Sequence, residues 1–250
     1  MTRVVTSSAP IYNKADVMSG RETDALYGEA ITIHAQDGDW CDATLTTDGY
    51  RGWIKSANLG DAPAPSHHVI MPRTLATFSP DIKSPHLAYL PLGAMVCATP
   101  ADDGTAKLHL ANGVTGYCPM RHLLPIGEYL DDYVAVAEAL ISTPYLWGGR
   151  DSIGLDCSAL IQLSLAATGI KVMRNTGDQE KTIGTDLAEI DDLQRGDLVF
   201  WKGHIGIMTD SQILLHANAY HGMVAAEDLR AALPRLHQAA GPITRLARVG

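Results

Sequence analysis

Two stretches of the chain echo one another, and that echo limits the fold more than any other feature. The first runs from Tyr27 to Leu59, YGEAITIHAQDGDWCDATLTTDGYRGWIKSANL. The second runs from Leu92 to Leu123, LGAMVCATPADDGTAKLHLANGVTGYCPMRHL. Gly28 aligns with Gly93, Gly49 with Gly113, and Gly52-Trp53 with Gly116-Tyr117. Each copy alternates short β-rich runs with glycine turns, as a small barrel does. Such a unit, about 60 residues long, is small for an independent core, so both copies are expected to pack on a larger body. The linker GDAPAPSHH, Gly60 to His68, is expected to run extended between them.

After Pro125 the pattern changes. GEYLDDYVAVAEALIST places Leu130, Val134, Ala137 and Ile141 at helical spacing, and Pro144 is expected to end that helix. A glycine-rich loop, PYLWGGRDSIGLD, follows. CSALIQLSLAATG then reads as a helix with Asp156 as N-cap and Gly169 as C′ residue. GDLVFW, HIGIMT and QILLHA are three short strands separated by turn residues. A helix followed by neighbouring strands indicates an α+β domain with an antiparallel sheet.

Cys157 stands at the mouth of that predicted helix. Unsatisfied backbone N–H groups and the positive end of the helix dipole both favour a thiolate there, and the thiolate is the nucleophile. A buried structural thiol is the plainer reading of the position alone. Cys41, Cys97 and Cys118 lie in strand-like runs and read as small buried hydrophobes. No CxxC spacing points to a zinc knuckle or redox site.

A thiol nucleophile needs a base and a group that orients it. His204 opens HIGIMT, sharing one strand face with Gly206 and Met208. His216 ends QILLHA, so the two histidines fall on consecutive strands. His67, His68, His86, His109, His122, His221 and His237 read as surface or packing residues. Cys-His-His would also suit zinc, but the spacing matches no structural finger, and neither metal nor cofactor is expected.

The 250 residues and 46% hydrophobic content fit a globular chain with a sizeable core. The net charge of -9 argues against nucleic acid or an anionic membrane as partner. No apolar run is long enough to span a bilayer. The first residues, MTRVVTSSAPIYNK, do not read as a secretory signal, so a cytoplasmic location is expected.

PYLWGG…DCSALIQ, RGDLVFW…HIGIM and LLHA together resemble the NlpC family of bacterial cell-wall cysteine peptidases, from about Glu128 to the C-terminus. DGYRGWI and YGE resemble bacterial SH3-like domains. The resemblance implies two small all-β SH3-like barrels, over 1–62 and 66–125, before a papain-like α+β domain over 126–250. It implies Cys157 as nucleophile, His204 as base and His216 as the residue orienting His204. Tyr145 is placed near the nucleophile to assist an oxyanion, alongside the backbone N–H groups of Cys157 and Ser158. Trp147 is expected to pack in the core.

Members with upstream SH3-like domains resemble γ-D-glutamyl-L-diamino-acid endopeptidases. These act on free murein peptides with an unblocked N-terminal L-Ala and release L-Ala-γ-D-Glu, a role in peptidoglycan recycling. The implied substrate-binding residues are Asp156, Ser158, the gate-like Tyr50 and Glu22. Asp156 and Ser158 read equally as helix-capping residues, and Glu22 as a solvated surface glutamate. Val114 replaces the gate tyrosine in the second copy. Arg174 and Asp178-Gln179 resemble a stretch near the family cleft, without an assigned role. An amidase or acyltransferase using the same thiol, and a non-catalytic wall-peptide binder, remain the alternatives.

Overall fold

A computed structural model describes residues 1–101 and 104–250. The chain divides into two compact units. One comprises Met1–Tyr129 with Gly148–Ser152, the other Leu130–Trp147 with Ile153–Gly250.

The first unit is built on β-sheet. β1 (Ser8–Tyr12), β2 (Arg21–Leu26), β3 (Ile31–Asp37), β4 (Trp40–Leu45) and β5 (Arg51–Lys55) form a sheet in the order β2-β1-β5-β4-β3. Its core gathers Ile11, Ala25, Ile31, Ala43, Leu45 and Ile54. A second sheet holds β6 (His67–Val69), β7 (Arg73–Thr77), β8 (His86–Pro91), β9 (Met95–Pro100), β10 (Thr105–His109), β11 (Thr115–Pro119) and β12 (Leu123–Pro125). Its core gathers Val69, Ala76, Leu90, Val96, Leu108 and Leu123.

The internal repeat is a repeat of backbone conformation. Gly28 and Gly93 share a φ of +82° and +83°, and Gly49 and Gly113 one of +76° and +72°. At Gly28 a Cβ would sit 1.9 Å from the Met95 carbonyl oxygen, so no other residue fits there. The linker is shorter than its composition suggests. Leu59–Asp61 pairs with Thr2–Val4, and His67 and His68 already belong to β6.

Gly148–Ser152 cluster with this first unit, although they lie well beyond the boundary expected at 126. Their polar side chains explain it. Arg150 Nη1 donates to Glu29 Oε1 (3.0 Å) and Oε2 (2.9 Å). Asp151 Oδ2 accepts from Ser8 Oγ (2.7 Å) and the Tyr89 hydroxyl (3.1 Å). Arg73 Nε donates to Ser152 Oγ at 3.0 Å.

The second unit is mixed α/β. An antiparallel six-stranded sheet runs β13-β18-β14-β15-β16-β17, from β13 (Thr185–Asp186), β14 (Leu198–Trp201), β15 (His204–Met208), β16 (Ile213–Asn218), β17 (Met223–Asp228) and β18 (Ile243–Arg248). Its helices are α1 (Tyr133–Glu138), α2 (Cys157–Ala167), α3 (Thr176–Thr182) and α4 (Leu229–Ala240).

α1 is shorter than the apolar spacing suggests. Asp132 caps it by accepting from the Val134 and Ala135 N–H groups, and the helix stops at Glu138. Ser142 turns the chain with a φ of +69°. Leu140 is therefore the last buried apolar residue, and Ile141 points outward, 46% exposed.

α2 follows its sequence signals closely. The Asp156 side chain accepts from the Ala159 N–H. At the other end Gly169 adopts a φ of +86°. There Gly169 N–H bonds the Ala166 carbonyl and Ile170 N–H the Leu165 carbonyl, the paired bonds of a Schellman ending. Ten of the eleven residues of α2 are buried, so this is a central helix without a solvent face. Among the described residues no helix is long and apolar enough to cross a membrane.

Candidate active site

Cys157 occupies the first position of α2, 6% exposed. In the helix ladder the Leu160 N–H bonds the Asp156 carbonyl, and the Ala159 N–H is taken by the Asp156 side chain. The N–H groups of Cys157 and Ser158 lie ahead of that ladder, as the first turn of any helix requires.

The thiol meets Thr176 Oγ1 at 3.8 Å and a hydrogen bond from the backbone of Ile205. Ile205 is the neighbour of His204 at the start of β15. Gly206 keeps this stretch close to β16, since a Cβ there would approach the Leu214 side chain to 2.6 Å and the His216 Cβ to 3.1 Å.

His204 Nε2 and His216 Nδ1 lie 2.8 Å apart. His216 is completely buried, and its Nε2 stands 2.7 Å from Glu227 Oε1 on β17. The same carboxylate oxygen accepts from Arg235 Nη2 of α4. Arg235 stacks over the Tyr220 ring at 4.0 Å. Neither Glu227 nor Arg235 is singled out by a local sequence motif. The signal lay in the hairpin register: His216 pairs with Ala225, so Glu227 is the diagonal neighbour on the same face.

The electrostatics describe a neutral resting site. Burial, then the Asp156 charge, push the Cys157 thiol up to about 11, against Thr176, the Ile205 backbone and Arg174. The thiolate expected from the helix terminus alone is thus outweighed by desolvation. Burial, then His216 and Arg235, lower His204 to about 3. Burial also lowers His216, although Glu227 works in the opposite direction. Tyr145 is pushed up to about 12 by burial and then by Cys157 and Asp156, which puts its phenol in the field of the thiol.

Asp156 and Ser158 face a partner that their sequence reading omits. Arg174, 2% exposed, donates to Asp156 Oδ1 (2.9 Å) and Oδ2 (2.8 Å) and to Ser158 Oγ (2.7 Å). Ser158 Oγ in turn donates to Asp156 Oδ1 at 3.0 Å. The carboxylate offered to a substrate ammonium is therefore already engaged by a buried guanidinium and by the helix. Gln179, also buried, donates to the Ser158 carbonyl at 2.9 Å. Arg174 and Gln179 together brace the first turn of α2.

In the first unit the Tyr50 hydroxyl donates to Glu22 Oε2 at 3.1 Å, so these two candidates form one pair. One reading needs correction: Trp147 is 70% exposed rather than packed in the core. His221, read as a surface or packing residue, has its ring centroid 6.4 Å from that of His216. His216, His221 and Glu227 each offer one ligand atom within 4.8 Å of the others. The Arg235 guanidinium on Glu227 opposes a cation there.

The chain is similar to several known proteins. The NlpC/P60 family matches residues 142–238, and the bacterial dipeptidyl-peptidase SH3 domain matches residues 11–59. A gamma-D-glutamyl-L-lysine dipeptidyl-peptidase of Bacillus subtilis is 27% identical over 221 residues, 78% of this chain and 72% of that protein. Dipeptidyl-peptidase 6 of Lysinibacillus sphaericus is 27% identical over 238 residues, 86% of each. The crystal structure of an NlpC/P60 family protein from Bacillus cereus superposes with a TM-score of 0.85 at 17% identity, covering 100% of this chain and 99% of that one. That likeness speaks to the fold.

Proposed function

We propose that this chain, which joins an NlpC/P60 peptidase domain to a bacterial dipeptidyl-peptidase SH3 domain, hydrolyses the γ-D-glutamyl–L-diamino-acid bond of free murein peptides and releases L-Ala-γ-D-Glu. The observation that carries the reading is the pairing of His204 Nε2 with His216 Nδ1 on strands beside the helix mouth that holds Cys157. The similarity to dipeptidyl-peptidases of two organisms supports the choice of bond. Within this reading 1–62 and 66–125 are SH3-like domains and 126–250 the catalytic domain.

Cys157 is the nucleophile and His204 its base. The resting pair is neutral, so proton transfer accompanies attack instead of preceding it. His204 takes the thiol proton as sulfur adds to the γ-carbonyl of D-Glu. The developing oxyanion is met by the N–H groups of Cys157 and Ser158, with the Tyr145 phenol as a further donor. His204 then returns the proton to the departing amine. Water, deprotonated by the same imidazole, opens the thioester and releases the dipeptide. His216 holds His204 in orientation throughout.

The Tyr50–Glu22 pair serves recognition of the free N-terminal amine. Such an amine exists only after the stem peptide has been cut from its glycan, which fits recycling of murein fragments in the cytoplasm. Asp156 supports the site by fixing Arg174 and the helix.

The test is product analysis by mass on L-Ala-γ-D-Glu-L-Lys, its diaminopimelate analogue and both N-acetylated forms. Free peptides should give L-Ala-γ-D-Glu and the diamino acid. The acetylated forms should show kcat/KM at least about a hundredfold lower, since each 1.36 kcal/mol of lost recognition is tenfold. Tyr50→Ala should narrow that gap. Equal cleavage of free and capped peptides removes the amine requirement, and no cleavage of any of them removes the proposed reaction.

A further inference from the structure

Among the described residues Glu227 is the one acidic group hydrogen-bonded to the histidine pair, and nothing in the proposed reaction uses it. We propose that Glu227 is a positioning residue that sets the tautomers of both histidines, so that His204 presents an unprotonated Nδ1 as the base. The inference rests on the peptidase reading of Cys157, His204 and His216.

The argument is one of donors and acceptors. An ionised carboxylate only accepts hydrogen bonds. Burial works to raise the Glu227 carboxyl, but hydrogen bonds from Arg235 and His216 hold it below the ordinary carboxylate range, so it is ionised. Its Oε1, 2.7 Å from His216 Nε2, therefore obliges that nitrogen to carry the proton. A neutral His216 then has its lone pair at Nδ1. His204 Nε2, 2.8 Å from that lone pair, must donate. The only nitrogen of His204 left without a proton is Nδ1. One fixed charge thus determines the protonation of two rings in series.

The surroundings keep the chain in this state. Arg235 from α4 is bonded to the same carboxylate oxygen, which disfavours passage of the His216 proton onto Glu227. Arg235 is itself held over the Tyr220 ring. His221 bonds Asn218 Oδ1 at 3.1 Å through Nδ1 and makes no hydrogen bond to the relay among the described residues. On the other side the Trp201 ring packs beside His204, centroids 5.7 Å apart, and supplies no charge. Should His216 gain a second proton, both its nitrogens would donate. His204 Nε2 would then accept, and the proton on Nδ1 would block the base.

A near-isosteric change makes a sharp test. In Glu227→Gln, Arg235 would donate to the amide oxygen, turning the amide N–H toward His216 Nε2. That nitrogen would become an acceptor, and both tautomers would invert. Glu227→Ala would leave the tautomers unbiased, and Glu227→Asp would keep a carboxylate.

The expected order of kcat is parent, Asp, Ala, then Gln, with Gln at least about a hundredfold below the parent and KM little changed, as for other wrong-tautomer substitutions. The second measurement needs no activity. 15N spectra of histidine-labelled Cys157→Ala should show a protonated Nε2 on both rings, and the same protein carrying Glu227→Gln should show protonated Nδ1. A Gln variant as active as the parent, or more active than Ala, would overturn the proposal, as would unchanged tautomers. If the tautomers invert but the parent cleaves no murein peptide, the activity reading fails and the role of Glu227 stands.

Discussion

Cys118 and Cys157 share burial and a raised thiol but have opposite prospects. Both are buried, 3% and 6% exposed, and both thiols are pushed up to about 11, chiefly by desolvation. Cys118 lies in β11, among the apolar residues of the second sheet, with Thr74 as the polar group that lowers it. Cys157 lies at a helix mouth between Thr176, the Asp156–Arg174 pair and the backbone of Ile205, the residue next to His204. A raised pKa therefore does not tell the proposed nucleophile from a structural thiol. What separates the two is their surroundings, apolar at Cys118 and polar at the helix mouth of Cys157.

The largest test of that difference is removal of each sulfur. Cys157→Ala should lose at least about a thousandfold in kcat on the free tripeptide, as when other nucleophiles are removed. Cys118→Ala should leave kcat/KM within about twofold and lower stability by about 1 kcal/mol, as a small core deletion does. Steady-state kinetics and denaturant unfolding of both variants read the comparison directly. Comparable activity losses would dissolve it.

The polar frame behind Cys157 can be broken alone. Asp156→Asn leaves the buried Arg174 without its counter-charge, and loss of one partner of a buried pair commonly costs about 3–5 kcal/mol. Urea unfolding should show that loss, together with a fall in kcat as the first turn of α2 loosens. Parent-like stability would mean that the carboxylate is not the anchor described here.

A smaller effect concerns the resting state. Burial pushes the thiol up to about 11 and His204 down to about 3, and both shifts favour a neutral pair in the free protein. Alkylation of Cys157 by iodoacetamide should therefore rise about tenfold per pH unit, with no plateau up to pH about 9, because only the thiolate reacts. A plateau already reached at about pH 6 would reveal a preformed thiolate–imidazolium pair. Stability carries the matching sign. A histidine lowered on folding binds its proton more readily when unfolded. Its contribution is therefore present above about 6.5 and is lost as pH falls toward 3.

How much of this was legible in the sequence depended on whether a signal was local. Asp156 and Gly169 bracket α2 because caps act through the nearest turn of backbone, and the strands bearing His204 and His216 stand where their apolar runs place them. The paired glycines of the repeat announced a shared backbone conformation. α1 ends earlier than its periodicity predicts, because periodicity ignores the turn at Ser142. Arg174 and Glu227 were not assigned, for they act through ion pairs that depend on how distant elements pack. Arg150 belongs with them: its partner Glu29 lies in the same unit but 121 residues away along the chain. The upward push on the thiol has the same origin, since a helix terminus is visible in sequence and the depth of its burial is not.

The central claim is that one thiol of four carries the acyl group of the cleaved peptide. Rapid acid quench of the protein with L-Ala-γ-D-Glu-L-Lys, followed by digestion and mass mapping of all cysteine peptides, tests it most directly. The account predicts an L-Ala-γ-D-Glu thioester on the peptide containing Cys157, with Cys41, Cys97 and Cys118 unmodified. Turnover with the acyl group on another residue, or with no acyl group trapped on Cys157 even when deacylation is slowed, would contradict it.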